Sequence, residues 1–191
     1  MTTRNAITSV PLIPVLAERW SPRSMDETHV LSESDLTSIL EAGRWAPSAN
    51  NGQPWRYSAA LRGGELFEAI RGKLSGFNAD WTKRASAYIV VSALDVTADG
   101  SKYATADLDS GLSVAQMIIQ AQGIGLVGHI MTGIDFAGLH QVLGLADELR
   151  VVCAVAIGKV APADRLEGGA FERETAPRAR KSLDEIVLHR A

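Results

Sequence analysis

The run Val151-Val152-Cys153-Ala154-Val155-Ala156-Ile157-Gly158 constrains this chain most: it carries no charge, is rich in β-branched side chains and is far too short to cross a membrane. A strand with no polar side to turn to water sits inside a sheet. Two other short apolar runs, Trp55 to Leu61 and Tyr88 to Leu94, and a candidate at His129 to Met131 supply its companions.

Helical patterns lie between these runs. Ser32 with Asp35 three residues on resembles a capping box, and Leu36, Ile39 and Leu40 share a face, which predicts a helix from Glu33 to Trp45 closed by Pro47. A second helix runs through Leu66, Phe67 and Ile70. A long one spans Asp107 to Gln122, with Leu108, Leu112, Ala115, Ile118 and Ile119 at helical spacing and Gly123 as its stop. A fourth covers Phe136 to Leu145. Helices and strands mix without strict alternation, so the expected fold is α+β, one central sheet in a single domain over residues 1–191. Asp95 to Lys102 and Ala161 to Pro177 read as its softest stretches.

Composition excludes several classes. With 191 residues and 46% apolar content the chain can build a core unaided, since about 70% of the unfolded surface is buried at this size. Cys153 is the lone cysteine, so no internal disulfide or Cys/His zinc set is expected, and a reducing, cytoplasmic setting is. Pro11 and Pro14 interrupt the apolar stretch from Val10 to Val15, and no spanning run follows. A net charge of −3 disfavours nucleic acid and anionic membrane as partners, so an anionic ligand must meet a local basic cluster.

Familiar catalytic patterns are missing. Gly123, Gly125 and Gly128 spell GxGxxG, but a predicted helix precedes them and a predicted strand follows, the reverse of the dinucleotide-binding order. His29, His129, His140 and His189 are scattered, no metal set exists, and Cys153 reads as an inert core thiol. Without a GxSxG elbow or P-loop, any enzymatic chemistry falls to a cofactor.

Three segments stand out. Arg19-Trp20-Ser21-Pro22-Arg23 can present two guanidiniums and a hydroxyl on one side of an extended chain. Ala46 to Trp55 is an uncharged loop of hydroxyl, amide and backbone donors. Pro177-Arg178-Ala179-Arg180-Lys181 offers forked donors suited to phosphate.

Taken in order, these segments resemble the FMN-dependent nitroreductase family along nearly the whole chain. The resemblance rests on Arg19, Ser21 and Arg23, on Pro47-Ser48 running through Asn51, Gln53, Pro54 and Trp55, on Phe77-Asn78 and Trp81, on Gly123 to Leu126, on Thr132-Gly133-Ile134-Asp135, and on Arg178 and Arg180 ahead of Leu183. It implies a central mixed, mostly antiparallel sheet flanked by helices, in an intertwined homodimer centred on the long helix. It further implies FMN, with Arg19, Ser21, Arg178 and Arg180 at the phosphate and ribityl side, Trp20 close by, and Arg23 at the pyrimidine edge. Asn78 would hydrogen-bond that edge, Thr132 and Gly133 would offer backbone N–H groups to N5 and O4, Pro47, Ser48 and Ala49 would reach across from the partner, and Asn51 and Met131 would be further cofactor contacts.

No side-chain nucleophile or metal is then needed. The resemblance implies ping-pong hydride transfer from NADH or NADPH through flavin N5 to nitroaromatic, quinone or activated-alkene acceptors. A flavin carrier or sensor with little turnover, or another flavin chemistry of the family such as dehalogenation or flavin fragmentation, stands as the alternative. Two departures bear on the acceptor: the connection between Tyr88's strand and the Asp107 helix is short, and Gly128-His129-Ile130 lacks the small-polar, Cys and Trp pattern common among relatives.

Overall fold

The computed structural model describes residues 4–97 and 99–190. In chain order its elements are α1 (Pro14–Glu18), α2 (Glu33–Arg44), β1 (Trp55–Leu61), α3 (Glu65–Arg71), α4 (Gly76–Thr82), β2 (Ala87–Leu94), α5 (Ala106–Gly123), β3 (Val127–Met131), α6 (Phe136–Val142), β4 (Leu149–Gly158), α7 (Gly168–Thr175) and α8 (Leu183–Ile186). Short 3₁₀ turns occupy Ala49–Asn51 and Ala163–Arg165.

The fold is α+β. Its four strands are ordered β1-β2-β4-β3, and every pairing among them is antiparallel, so the described sheet contains none of the parallel pairing that a mixed sheet would have. β4, apolar from Val151 to Gly158, lies between β2 and β3, as that uncharged run requires. Alternation divides β2 and β4 between two cores. Tyr88, Val90, Ala154 and Ala156 join Phe67, Ile70, Trp81 and Leu139 on one face. Ile89, Val91, Cys153 and Val155 meet Leu36, Ile39, Val114 and Met117 on the other.

Local chemistry explains the boundaries. Ser32 Oγ accepts the Asp35 N–H at 3.1 Å and donates to Asp35 Oδ2 at 2.7 Å, closing the first turn of α2, a cap of about 1 kcal/mol. The end of α5 falls later than the sequence suggested. Gly123 is still helical; the stop is Gly125 at φ 79°, where the Gly125 N–H donates to Gln122 O and the Leu126 N–H to Ala121 O. That is a Schellman closure, which needs a left-handed residue just past the helix. Gly128 then sits in β3 against Ile118, so the three glycines serve helix, turn and packing.

Three expectations need correction. The predicted apolar stripe of α5 does not face the core: Leu108 is 64% exposed and Leu112 is also exposed, and of the five named only Ile118 is buried. The inner face instead carries Asp109, Ser110, Ser113, Val114, Met117 and Ala121. Gly43 lets α2 approach α5, since a Cβ there would collide with Met117 Cε and stand 3.0 Å from Ser113 Oγ, and Ser113 meets Tyr57 Oη at 2.5 Å. Secondly, α6 ends at Val142, three residues early, because Gly144 takes φ 58°. Thirdly, the stretch 161–177 is not loose: it contains α7 and buries Leu166 and Glu174. No helix among the described residues is long and apolar enough to cross a membrane.

Candidate functional site

Beyond α1 the chain runs extended past the end of β4, with a bridge between Met25 and Val160 and the Ala161 N–H donating to Ser24 O. This places Arg19 to Arg23 beside the C-terminal segment. Arg178 donates through Nη2 to Arg19 O at 3.0 Å and through Nη1 to Arg4 O, and Arg4 in turn reaches Ala176 O at 2.6 Å and Glu174 O. Arg4 also stacks 4.4 Å from the Trp20 ring centroid.

The result is a cluster of guanidiniums. Burial, then the Arg180 charge, pull the Arg19 pKa below its ordinary value, and burial followed by Arg19, Arg180 and Arg4 does the same to Arg178. Among the described residues none of Arg4, Arg19, Arg178 and Arg180 forms an ion pair. Like charges gathered without ion-pair partners repel, so the arrangement favours an anion.

Beside it lies a second group. The Arg23 guanidinium is 5.8 Å from the Phe77 ring centroid, and Arg173 approaches the same ring at 4.5 Å. Burial is the first cause lowering the Arg23 pKa, and its Nε is buried with no hydrogen-bond partner. His129 lies beneath, its Nδ1 2.9 Å from Pro22 O and its ring 4.5 Å from that of Trp81. Asn78 Nδ2 and Ser75 Oγ both donate to Gly133 O, at 2.9 and 2.6 Å, fixing the turn that follows β3.

A surface cavity of about 490 Å³ lies elsewhere. Asp95, Lys102, Tyr103, Asp107 and Arg150 line it at the far end of β4, where Asp95 and Asp107 already neutralise Arg150. The Arg19 cluster has the more distinctive chemistry.

The loop expected to complete the site is rigid but separate. Asn50, Asn51 and Gln53 adopt φ of 51°, 56° and 47°, strained for residues with a Cβ and above all for Gln53. Ser48 Oγ accepts the Gln53 N–H at 3.1 Å and the Asp109 carboxylate the Ala49 N–H at 3.3 Å, while Pro47, Ala49 and Asn51 stay exposed. No described hydrogen bond or ion pair joins this loop to the arginines; its anchor is the first turn of α5.

A family model described as the nitroreductase family matches residues 16–76 and 64–159. The chain belongs to the nitroreductase family. A protein of Mycolicibacterium smegmatis known only as a 15.4 kDa product of the ask 5′ region is 30% identical over 141 residues, 70% of this chain and 94% of that one. An oxidoreductase containing FMN superposes at a TM-score of 0.91 with 31% identity, covering 98% of this chain and 96% of its own. A Staphylococcus epidermidis protein provisionally named NAD(P)H:FMN oxidoreductase matches at 0.75 with 20% identity, over 95% and 98%, and speaks for the fold alone.

Within this nitroreductase-family frame the structure brings Arg19, Trp20, Ser21, Arg178 and Arg180 together and sets Arg23 against Phe77, the residue before Asn78. Two expected ligand contacts are already engaged internally: Arg178 holds backbone carbonyls, and Asn78 Nδ2 holds Gly133 O. Met131 turns its side chain into the core, leaving only its backbone to face a ligand. Sequence reasoning missed Arg4, Arg173 and Glu174. Nothing in Phe171-Glu172-Arg173-Glu174-Thr175 distinguishes the second glutamate, and Arg4 belongs to no pattern.

Proposed function

We propose that this chain is an FMN-dependent NAD(P)H oxidoreductase acting as a homodimer on nitroaromatic, quinone or activated-alkene acceptors. The observation that carries this reading is the cluster of Arg4, Arg19, Arg178 and Arg180, which gathers guanidiniums with no ion pair among the described residues. Bound FMN would supply two-electron chemistry, accepting hydride equivalents from NADH or NADPH and yielding them to the acceptor.

The residues fit that cofactor. Arg19 and Arg180 keep donors free for a dianionic phosphate, with Ser21 beside them, while Arg178 contributes charge and holds Arg19 in place. The buried Arg23 Nε needs an acceptor that the described residues do not provide. A fixed Arg23 cation at a pyrimidine edge favours negative charge there. The Thr132-Gly133 turn, braced by Ser75 and Asn78, can aim backbone N–H groups at the reacting side. The Pro47 to Asn51 loop and the outward stripe Leu108, Leu112, Ala115 and Ile119 suit a second copy of the chain, which would bring the loop to the partner's cofactor.

The test is direct. Purified protein is expected to be yellow, with absorbance near ~450 nm, and to bleach within seconds under anaerobic NADH or NADPH. A nitro, quinone or enone acceptor should then restore the colour. A yellow protein that neither donor bleaches would mark a flavin carrier, and a chain that takes up no FMN would refute the proposal.

A further inference from the structure

Arg23 is aimed by something other than its own side-chain contacts. The segment Arg19 to Ser24 is suspended at three places: Arg178 Nη2 on Arg19 O, His129 Nδ1 at Pro22 O, and a carboxylate under its last two amides. That carboxylate is Glu174, only 2% exposed. Its Oε2 accepts the Arg23 N–H at 2.7 Å and its Oε1 the Ser24 N–H at 3.1 Å, and no guanidinium or ammonium lies within ion-pair distance among the described residues.

We propose that Glu174 is a positioning residue of the cofactor site: by gripping the Arg23 and Ser24 amides with its two oxygens it sets the direction of the Arg23 guanidinium. The inference rests on the FMN reading above. Burying a carboxylate is costly unless hydrogen bonds compensate it, and here both compensating donors belong to the segment that carries Arg23. Burial raises the Glu174 pKa, with the two amides and the Arg23 charge opposing that rise. Structural need alone would be met by any acceptor on α7. Two oxygens on adjacent amides fix the backbone on both sides of the Arg23 Cα, which limits where a long side chain starts.

The signature that separates positioning from simple charge removal is the sign of the change in flavin potential. Deleting a nearby negative charge would make the bound cofactor easier to reduce. Loosening an oriented cation makes it harder. Glu174→Gln keeps the shape but retains one acceptor and turns an NH₂ group toward an N–H. With NADH or NADPH as reductant, Glu174→Gln is expected to slow anaerobic reduction about 10-fold. It should also weaken binding of reduced relative to oxidised FMN about 10-fold, a fall of about 30 mV for two electrons. Arg23→Ala should move both readouts the same way, and adding Glu174→Gln to it should change neither further.

A rise in potential, unchanged potential and rate in the single variant, or a full second 10-fold loss in the double variant would overturn the assignment. If Glu174→Gln does not fold, Glu174→Asp carries the same cycle. It keeps charge and both acceptors, withdraws them by one methylene, and should slow reduction about 3-fold without raising the potential. A wild-type chain that binds no FMN overturns the parent reading and this one together, whereas bound, reducible FMN with additive variants removes this one alone.

Discussion

His129 makes a measurable demand on the acid stability of the protein. Its ring is 8% exposed, and burial is the main cause that lowers its pKa from 6.5 to about 4, with the Arg23 charge also lowering it and the hydrogen bond to Pro22 opposing. A folded-state value below the unfolded one means that the unfolded chain binds the proton more readily, so stability is lost as pH falls through the window from 6.5 to about 4. At about 1.4 kcal/mol per unit the full contribution is on the order of 3 kcal/mol, and between pH 7 and 5 it is about 2 kcal/mol. His129→Asn keeps a donor for Pro22 O but does not titrate. Urea unfolding of both proteins at one fixed concentration, followed by tryptophan fluorescence from pH 7.5 to 4.5, gives the difference curve. Loss of the Trp81 contact lowers the variant by a constant amount, and subtraction cancels groups common to both, including Glu174. The gap between the two proteins should narrow by about 2 kcal/mol from pH 7 to 5. Parallel curves would refute a buried neutral imidazole at this position.

Other outcomes follow from the geometry. Arg180→Ala should weaken FMN retention about 10-fold in a fluorescence titration while leaving the reduction rate of bound flavin nearly intact, because among the described residues its guanidinium bonds only its neighbour's carbonyl, Ala179 O. Gly128→Ala places a methyl 2.6 Å from Ile118 Cγ2 and should lower unfolding stability by about 1–3 kcal/mol, with partial recovery on adding Ile118→Leu, which removes that methyl. Leu112→Glu on the outward stripe of α5 should shift sedimentation from dimer toward monomer and lower FMN content, since the second subunit's loop would leave with it.

How much of this was legible in the sequence depends on where each residue finds its partners. The uncharged run Val151 to Gly158 declared an interior strand because neither of its faces could meet water, and Ser32 with Asp35 declared a helix start because the partners lie three residues apart. The orientation of α5 was misjudged for the opposite reason. Ser110 and Ser113 look like solvent residues until Tyr57, distant in sequence, meets Ser113 across the interface, while Leu108 and Leu112 look like core yet lie on an exposed face of the helix. Arg19 and Arg180 were recognisable by order and charge, which resemblance to a family preserves. Arg178 was recognised, but its grip on backbone carbonyls was not, and Glu174 was invisible because its acceptors serve main-chain amides that leave no mark on residue type.

The grip between the two ends of the chain has a bearing on how the protein is made. Arg23 and Glu174 are separated by 151 residues, so at roughly 5–20 residues per second a ribosome emits the first about 8 to 30 seconds before the second. Throughout that interval the early arginines have neither the carboxylate nor the carbonyl clamp that will hold them. The sheet can pair as soon as β4 is released, yet the arginine corner waits longer, because Glu174 and Arg178 both follow β4 in the chain.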